Sequence, residues 1–222
     1  MQKKRIAIDK RTLEEILNDQ KNELDVWTDE HLCSRNEESL VDLGSPQAQV
    51  VMGVRRCGKS TLCMQILTGA NVKFAYADFD DERLDGLDTA QLNDVLEVLY
   101  KIYGSFQYLF LDEIQNIDGW PLFVNRLLRN KIHVVLTGSS AKLLSHDLAT
   151  HLTGRSSEIE LYPFSFSEYC EMKGVDGSLR STKGRADIRN CFDEYMKNGG
   201  LRQSYSAICC ENASWKDGTY II

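Results

Sequence analysis

No apolar run in this 222-residue chain approaches the roughly 18 residues that a membrane-spanning helix needs. The N-terminus starts basic, but the apolar run before Asp9 is only three residues long, Ile6 to Ile8, shorter than the roughly 7–15 of a secretory signal core. A membrane role is therefore not expected, and the cytoplasm is the expected location. The seven cysteines include no C-x-x-C pair, and no histidine stands at ligand spacing from any of them. Cys209 and Cys210 are adjacent, which is poor geometry for a shared tetrahedral ion. Reduced, mostly buried thiols are the expectation, as in a reducing compartment. Basic residues are in the minority, 26 against 33 acidic, for a net charge of −7. Nonspecific nucleic-acid binding depends on Lys and Arg to neutralise phosphates, so the balance argues against that role for the domain as a whole. Internal repeats are also absent.

What the chain does have is globular composition, 42% hydrophobic and 27% charged. Its length suits one domain with the start of a second. Thr12 to Glu15 reads as a capping box, with Leu13, Ile16, Leu17, Leu24 and Trp27 following at helical spacing. Residues 34–48 are polar, with Gly44, Ser45 and Pro46 marking a loop. Apolar strands are then expected at 50–52, 72–77, 108–111, 132–136 and 159–161. Helices are expected between them: from Lys59 to Leu67, from Asp88 to Ile102, from Asp118 to Leu128, and from Ser140 through Leu143, Leu144, Leu148 and Leu152. Strand and helix alternate five times, which demands a parallel sheet covered on both faces by right-handed crossovers. Beyond Pro163 a short helix capped by Ser165 or Ser167 is expected, then a loop over 173–187, then a helix through Ile188, Phe192, Tyr195 and Met196 that stops at Gly199. The expected division is a lead-in over 1–47, a core over 48–163 and a small helical extension over 164–222. The last residues, Tyr220 to Ile222, end on an apolar run, and the chain reads as cut short.

Gly53, Val54, Arg55, Arg56, Cys57, Gly58, Lys59 and Ser60 match G-x-x-x-x-G-K-[ST], and Thr61 follows in the helix. Glycines let backbone N–H groups curl around phosphates, and the helix behind aims its N-terminus at them. Lys59 reaches the β- and γ-phosphates, and the Ser60 hydroxyl is a Mg²⁺ ligand. A chance match in a chain of this length is about one in a hundred, and here the motif lies between a strand and a helix, the context it requires. Tyr108 to Leu111 followed by Asp112 and Glu113 is an apolar strand ending in two acids. Asp112 is the expected metal ligand, and Glu113 is free to polarise an attacking water. A guanine-selecting N/T-K-x-D is missing, because Thr182, Lys183 and Gly184 are followed by Arg185 rather than Asp. Ser139, at the end of the fourth strand, is the chosen γ-phosphate sensor, with Ser140 as a helix cap. Arg55 and Arg56 are either a solvated pair or a contact to phosphate or to another subunit. His31, His133, His146 and His151, and Trp27, Trp120 and Trp215, read as surface or packing residues.

The order of these features resembles the AAA+ superfamily of P-loop ATPases. The wording is similar to that of a bacterial and archaeal group of predicted ATPases within it. It is carried by Gly53 to Ser60, Leu111 to Gln115, Leu136 to Ser140, Leu152 to Arg155, Pro163 to Tyr169, and Gly199 to Leu201. Arg202 departs from the pattern, which usually has Pro there. The resemblance implies a three-layer α/β P-loop NTPase fold with strand order 5-1-4-3-2 and ATP with Mg²⁺ as cofactors. It also implies hydrolysis that drives a conformational switch. Arg155 is implied as an arginine finger acting in trans within a homo-oligomer, and a further C-terminal domain as the seat of an unknown protein or nucleic-acid partner. Two other readings stay open on the same fold: a nucleotide-gated regulatory module with negligible turnover, and a P-loop phosphotransferase.

Overall fold

The structure, a computed structural model, describes residues 7–27, 33–139, 152–175 and 181–200. The expected helix from Ser140 through Leu148, the residues from Leu201 onward, and His31, His146 and His151 lie outside the described residues. Five strands form the sheet: β1 (Ala48–Gly53), β2 (Phe74–Asp78), β3 (Tyr108–Asp112), β4 (His133–Ser139) and β5 (Ser156–Leu161). Their order is β2-β3-β4-β1-β5, and every neighbouring pair is parallel. This is the expected 5-1-4-3-2 order read from the other edge.

Strand alternation sorts the core into two faces. Val50, Ala75, Leu109 and Leu136 lie in one apolar cluster with α1 (Lys10–Trp27), α3 (Leu92–Tyr103) and α4 (Trp120–Arg129). Val51, Tyr76, Phe110 and Val135, their immediate neighbours in the chain, face the other way onto α2 (Lys59–Gly69). Both faces being covered explains why β1, β3 and β4 read as continuous apolar runs. A separate cluster of Phe164, Tyr169, Cys170, Met172 and Cys191 joins α5 (Phe166–Met172) to α6 (Thr182–Asn198).

Several boundaries differ from expectation. α1 starts before Thr12, because the Asp9 carboxylate already accepts from the N–H groups of Arg11 and Thr12 at 3.0 Å each. α4 is preceded by Gly119 at φ 70° rather than opened by Asp118, since the chain turns there through the left-handed region. α6 begins at Thr182, inside the expected loop, because the Ser181 hydroxyl caps the Gly184 N–H at 3.0 Å. β4 runs three residues beyond Leu136, to Ser139, and so carries its polar end to the same edge as the loop after β1. α5 starts as expected, with Ser165 and Glu168 forming a capping box. Among the described residues no helix is long and apolar enough to cross a membrane.

Candidate functional site

The carboxyl ends of β1, β3 and β4 meet in register, with Gly53 beside Ser139 and Leu111 beside Leu136. Ligands on open parallel sheets bind at such an edge. Gly53 is required there by close approach: a Cβ would stand 2.2 Å from the Leu161 carbonyl oxygen and 2.9 Å from the Cys57 sulfur. Arg56 at φ 69° and Gly58 at φ 99° give the loop two left-handed residues, which curl it over the start of α2. Between them Cys57 is fully buried, and burial pushes its thiol upward in pKa. The N–H of Leu62 donates to the Gly58 carbonyl at 2.9 Å and starts the helix, so the free N–H groups ahead of it face outward from its N-terminus.

Lys59 is 5% exposed; its Nζ lies 3.3 Å from the Val54 carbonyl and 3.5 Å from Glu113 Oε1. Asp112 is 4% exposed and accepts from the hydroxyls of Thr137, Ser60 and, at 3.4 Å, Tyr76. Burial raises its pKa, and the hydroxyls of Thr137 and Ser60 only partly offset that. Glu113 sits at φ 50°, with its N–H 3.2 Å from the Thr137 hydroxyl and its carboxylate held by Gln115. Ser60 and Asp112 are thus brought together, and hydroxyl plus carboxylate is a donor set that suits Mg²⁺. Asp112 is buried with hydroxyl partners, so a cation there would balance its charge.

Ser139 is half-buried beside Gly53, and Thr61 follows Ser60 in the first turn of α2. Val54, Arg55 and Arg56 are exposed, and Arg55 forms an open ion pair with Asp80 at 3.2 Å. Arg155 is not brought to this edge. It immediately precedes β5, whose first residue pairs with Ala48, five residues from Gly53 along β1. At about 3.3 Å per residue that is some 17 Å from the loop. Its exposed side chain donates to Asn125 Oδ1 at 3.0 Å. His133 accepts no such role either: it stacks on Tyr108 at 4.8 Å and touches the Ser45 carbonyl.

Sequence reasoning missed three residues. Thr137 is fully buried and joins Asp112 to Glu113; a lone polar residue between Leu136 and Gly138 in a buried strand was the available signal. Asp78 ends β2 opposite Asp112, and burial together with that neighbouring charge pushes its carboxyl up to about 7. Arg35, from the polar lead-in, is 6% exposed and reaches the Cys57 carbonyl at 3.1 Å; nothing local in the sequence marks it.

Two uncharacterized proteins are similar to the chain. One, from Methanocaldococcus jannaschii, is 36% identical over 168 residues, covering 75% of this chain and 38% of its own length. The other, from Haemophilus influenzae, is 36% identical over 163 residues, covering 69% of this chain and 39% of its own length. The chain therefore spans about two fifths of the length of the curated relatives it matches. A model of the AAA domain family matches residues 45–170, more than half of the chain. With the P-loop, the paired acids of β3 and this strand order in one place, the chain belongs to the AAA domain family, a nucleotide-binding P-loop domain of ATPase-like type.

Proposed function

We propose that the domain binds ATP with Mg²⁺, hydrolyses it to ADP and phosphate, and uses the cycle to drive a conformational switch. The observation that carries this reading is the convergence of Lys59, Ser60, Asp112 and Glu113 within hydrogen-bond or ion-pair reach at one sheet edge. The free backbone N–H groups of the loop and of the first turn of α2 bind the phosphates, and Lys59 moves from Glu113 to the β- and γ-oxygens. Mg²⁺, held by Ser60 and Asp112, would screen phosphate charge and fix the γ-phosphoryl for in-line attack. Glu113, released from Lys59, polarises the water, and Ser139 beside Gly53 contacts the γ-phosphate. Arg155, exposed about 17 Å away at the opposite edge, is assigned to the nucleotide of a neighbouring copy.

Glu113→Gln separates this reading from its rivals. Hydrolysis needs the carboxylate, so phosphate release should fall by roughly 10²–10⁴ while Mg·ATP still binds. An undiminished rate would overturn Glu113 as the base. A wild type that captures nucleotide but releases no phosphate would favour a gated module without turnover.

A further inference from the structure

We propose that Arg35 is a positioning residue for the P-loop, aiming the Gly58 N–H into the phosphate cradle by holding the Cys57 carbonyl on the opposite side. The inference rests on the nucleotide reading above and adds to it a residue from outside the motif.

The Cys57–Gly58 peptide is trans, so its C=O and N–H point in opposite directions. Arg35 Nη1 donates to the Cys57 oxygen at 3.1 Å and so fixes the direction of the Gly58 N–H as well. That peptide follows Arg56, a non-glycine residue held at φ 69°, which a free loop does not favour. It leads into Gly58, whose φ of 99° leaves the peptide free to turn either way without a partner. A directed partner from outside is therefore what keeps the curl.

Arg35 itself has little freedom. Its Nε donates to Glu168 Oε1 at 3.0 Å and its Nη2 to the Tyr162 carbonyl at 2.7 Å, while its plane lies 4.2 Å from the Phe164 ring centre. Glu168 is anchored in turn by the N–H groups of Asn36 and Ser165 and by the Ser165 hydroxyl. A guanidinium offers donors in a rigid fork, which a lysine ammonium or an apolar side chain does not reproduce. A buried ion pair is weak evidence for stability as such. Here one of its donors is spent on the backbone of the loop that the proposed chemistry requires.

The test compares wild type, Lys59→Ala, Arg35→Lys, Arg35→Met and the double variant Arg35→Met/Glu168→Gln. Mg·ADP affinity is measured by calorimetry well below each melting temperature, and the Gly58 amide proton shift on Mg·ADP addition by NMR. Arg35→Met leaves Glu168, and the less buried Glu37 at 3.8 Å, without their cation and should melt early; the double variant removes the more buried charge and regains melting temperature. Arg35→Lys keeps a cation opposite Glu168 but cannot serve three partners. We expect Mg·ADP binding to weaken about tenfold or more in all three Arg35 variants, the loss for a misaimed donor to a charged phosphate. The Gly58 shift should shrink with it, including in the double variant after its stability has returned. Affinity and shift that recover along with melting temperature would overturn the inference and leave Arg35 a structural residue. Binding that is lost in Lys59→Ala but unchanged in every Arg35 variant would overturn it alone. No binding by the wild type would overturn the nucleotide reading and the inference with it.

Discussion

Glu168 and Asp112 are equally hidden from solvent, 5% and 4% exposed, but Asp112 lies deeper in the protein, and their environments treat them oppositely. Burial by itself raises the pKa of both. At Glu168 it is outweighed by two backbone N–H groups, the Ser165 hydroxyl and the Arg35 guanidinium, and the carboxyl ends below its usual range. At Asp112 the donors are neutral hydroxyls, the Glu113 and Lys59 charges oppose one another, and burial leaves the carboxyl above its usual range. The same contrast separates two arginines. Arg35 is buried, with two carboxylates (Glu168 at 3.0 Å and Glu37 at 3.8 Å) and two carbonyls as partners, whereas Arg155 is exposed against the neutral amide of Asn125. The fold completes one pair within itself. It leaves Asp112 with only the nearby Lys59 charge to offset its burial, and Arg155 exposed beside a neutral amide. A ligand or a second chain can meet both, and a perturbed, incompletely compensated carboxylate is where function is expected.

Asp112→Asn tests that contrast most severely. Mg²⁺-dependent turnover should drop to background, because the ion loses its carboxylate, while some metal-free nucleotide binding persists. In metal-free buffer the same variant should be more stable, by about 1 kcal/mol, since a poorly compensated buried charge is gone and hydroxyls can donate or accept. Lower stability, by chemical denaturation, would place Asp112 with Glu168 as a structural acid. Undiminished hydrolysis would mean that another residue holds the ion.

Arg155→Ala should cost roughly 10³–10⁵ in phosphate release with little change in melting temperature. Mixing sharpens the result. A Lys59→Ala copy binds nucleotide poorly but presents Arg155, and an Arg155→Ala copy does the reverse. Each should be nearly inactive alone, and together they can assemble a complete site. No recovered activity from copies shown by light scattering to associate would leave Arg155 as an edge residue of its own chain. Lys59→Ala on its own should weaken Mg·ATP binding about 10–100-fold by calorimetry with the fold intact. Equal affinity would break the P-loop assignment.

The contrast also marks what could be read from the sequence. The strand–helix alternation, the P-loop, and the acids after β3 were legible because each is local, an apolar run, then a glycine or an acid, then a helix, whereas the strand order came from the family resemblance. Arg155 could be read as an edge residue because it follows a helix stop and precedes a strand. Thr137 was passed over for Ser139, since both lie on one polar stretch and only the register of β3 against β4 puts Thr137 on Asp112. Arg35 was invisible: its partners Cys57, Tyr162 and Glu168 lie 22, 127 and 133 residues away, and no spacing rule connects them. The start of α6 was read as a loop because Gly184 weighs against helix, while the Ser181 cap three residues earlier supplies the missing support.

The smallest expected effect concerns the completed pair. Glu168 has a folded pKa below its ordinary value of 4.5, so the folded state holds its proton less tightly than the unfolded chain does. Its contribution to stability is therefore fully present above about pH 4.5 and is lost as pH falls through the lower, folded value. Glu168→Gln removes that dependence: the variant should melt earlier than wild type at pH 7, and the gap should narrow as the pH falls below 4.5. Arg35 sharpens the case, because in Glu168→Gln it becomes a buried cation left with two carbonyls and the more distant Glu37 carboxylate at 3.8 Å, so the deficit at pH 7 exceeds the loss of one hydrogen bond, about 1 kcal/mol. Thermal melts of both proteins from pH 3 to pH 7 read this directly. A gap that stays constant across that range would mean that Glu168 holds its place by shape and hydrogen bonding alone, and the difference from Asp112 would then lie in packing rather than in charge.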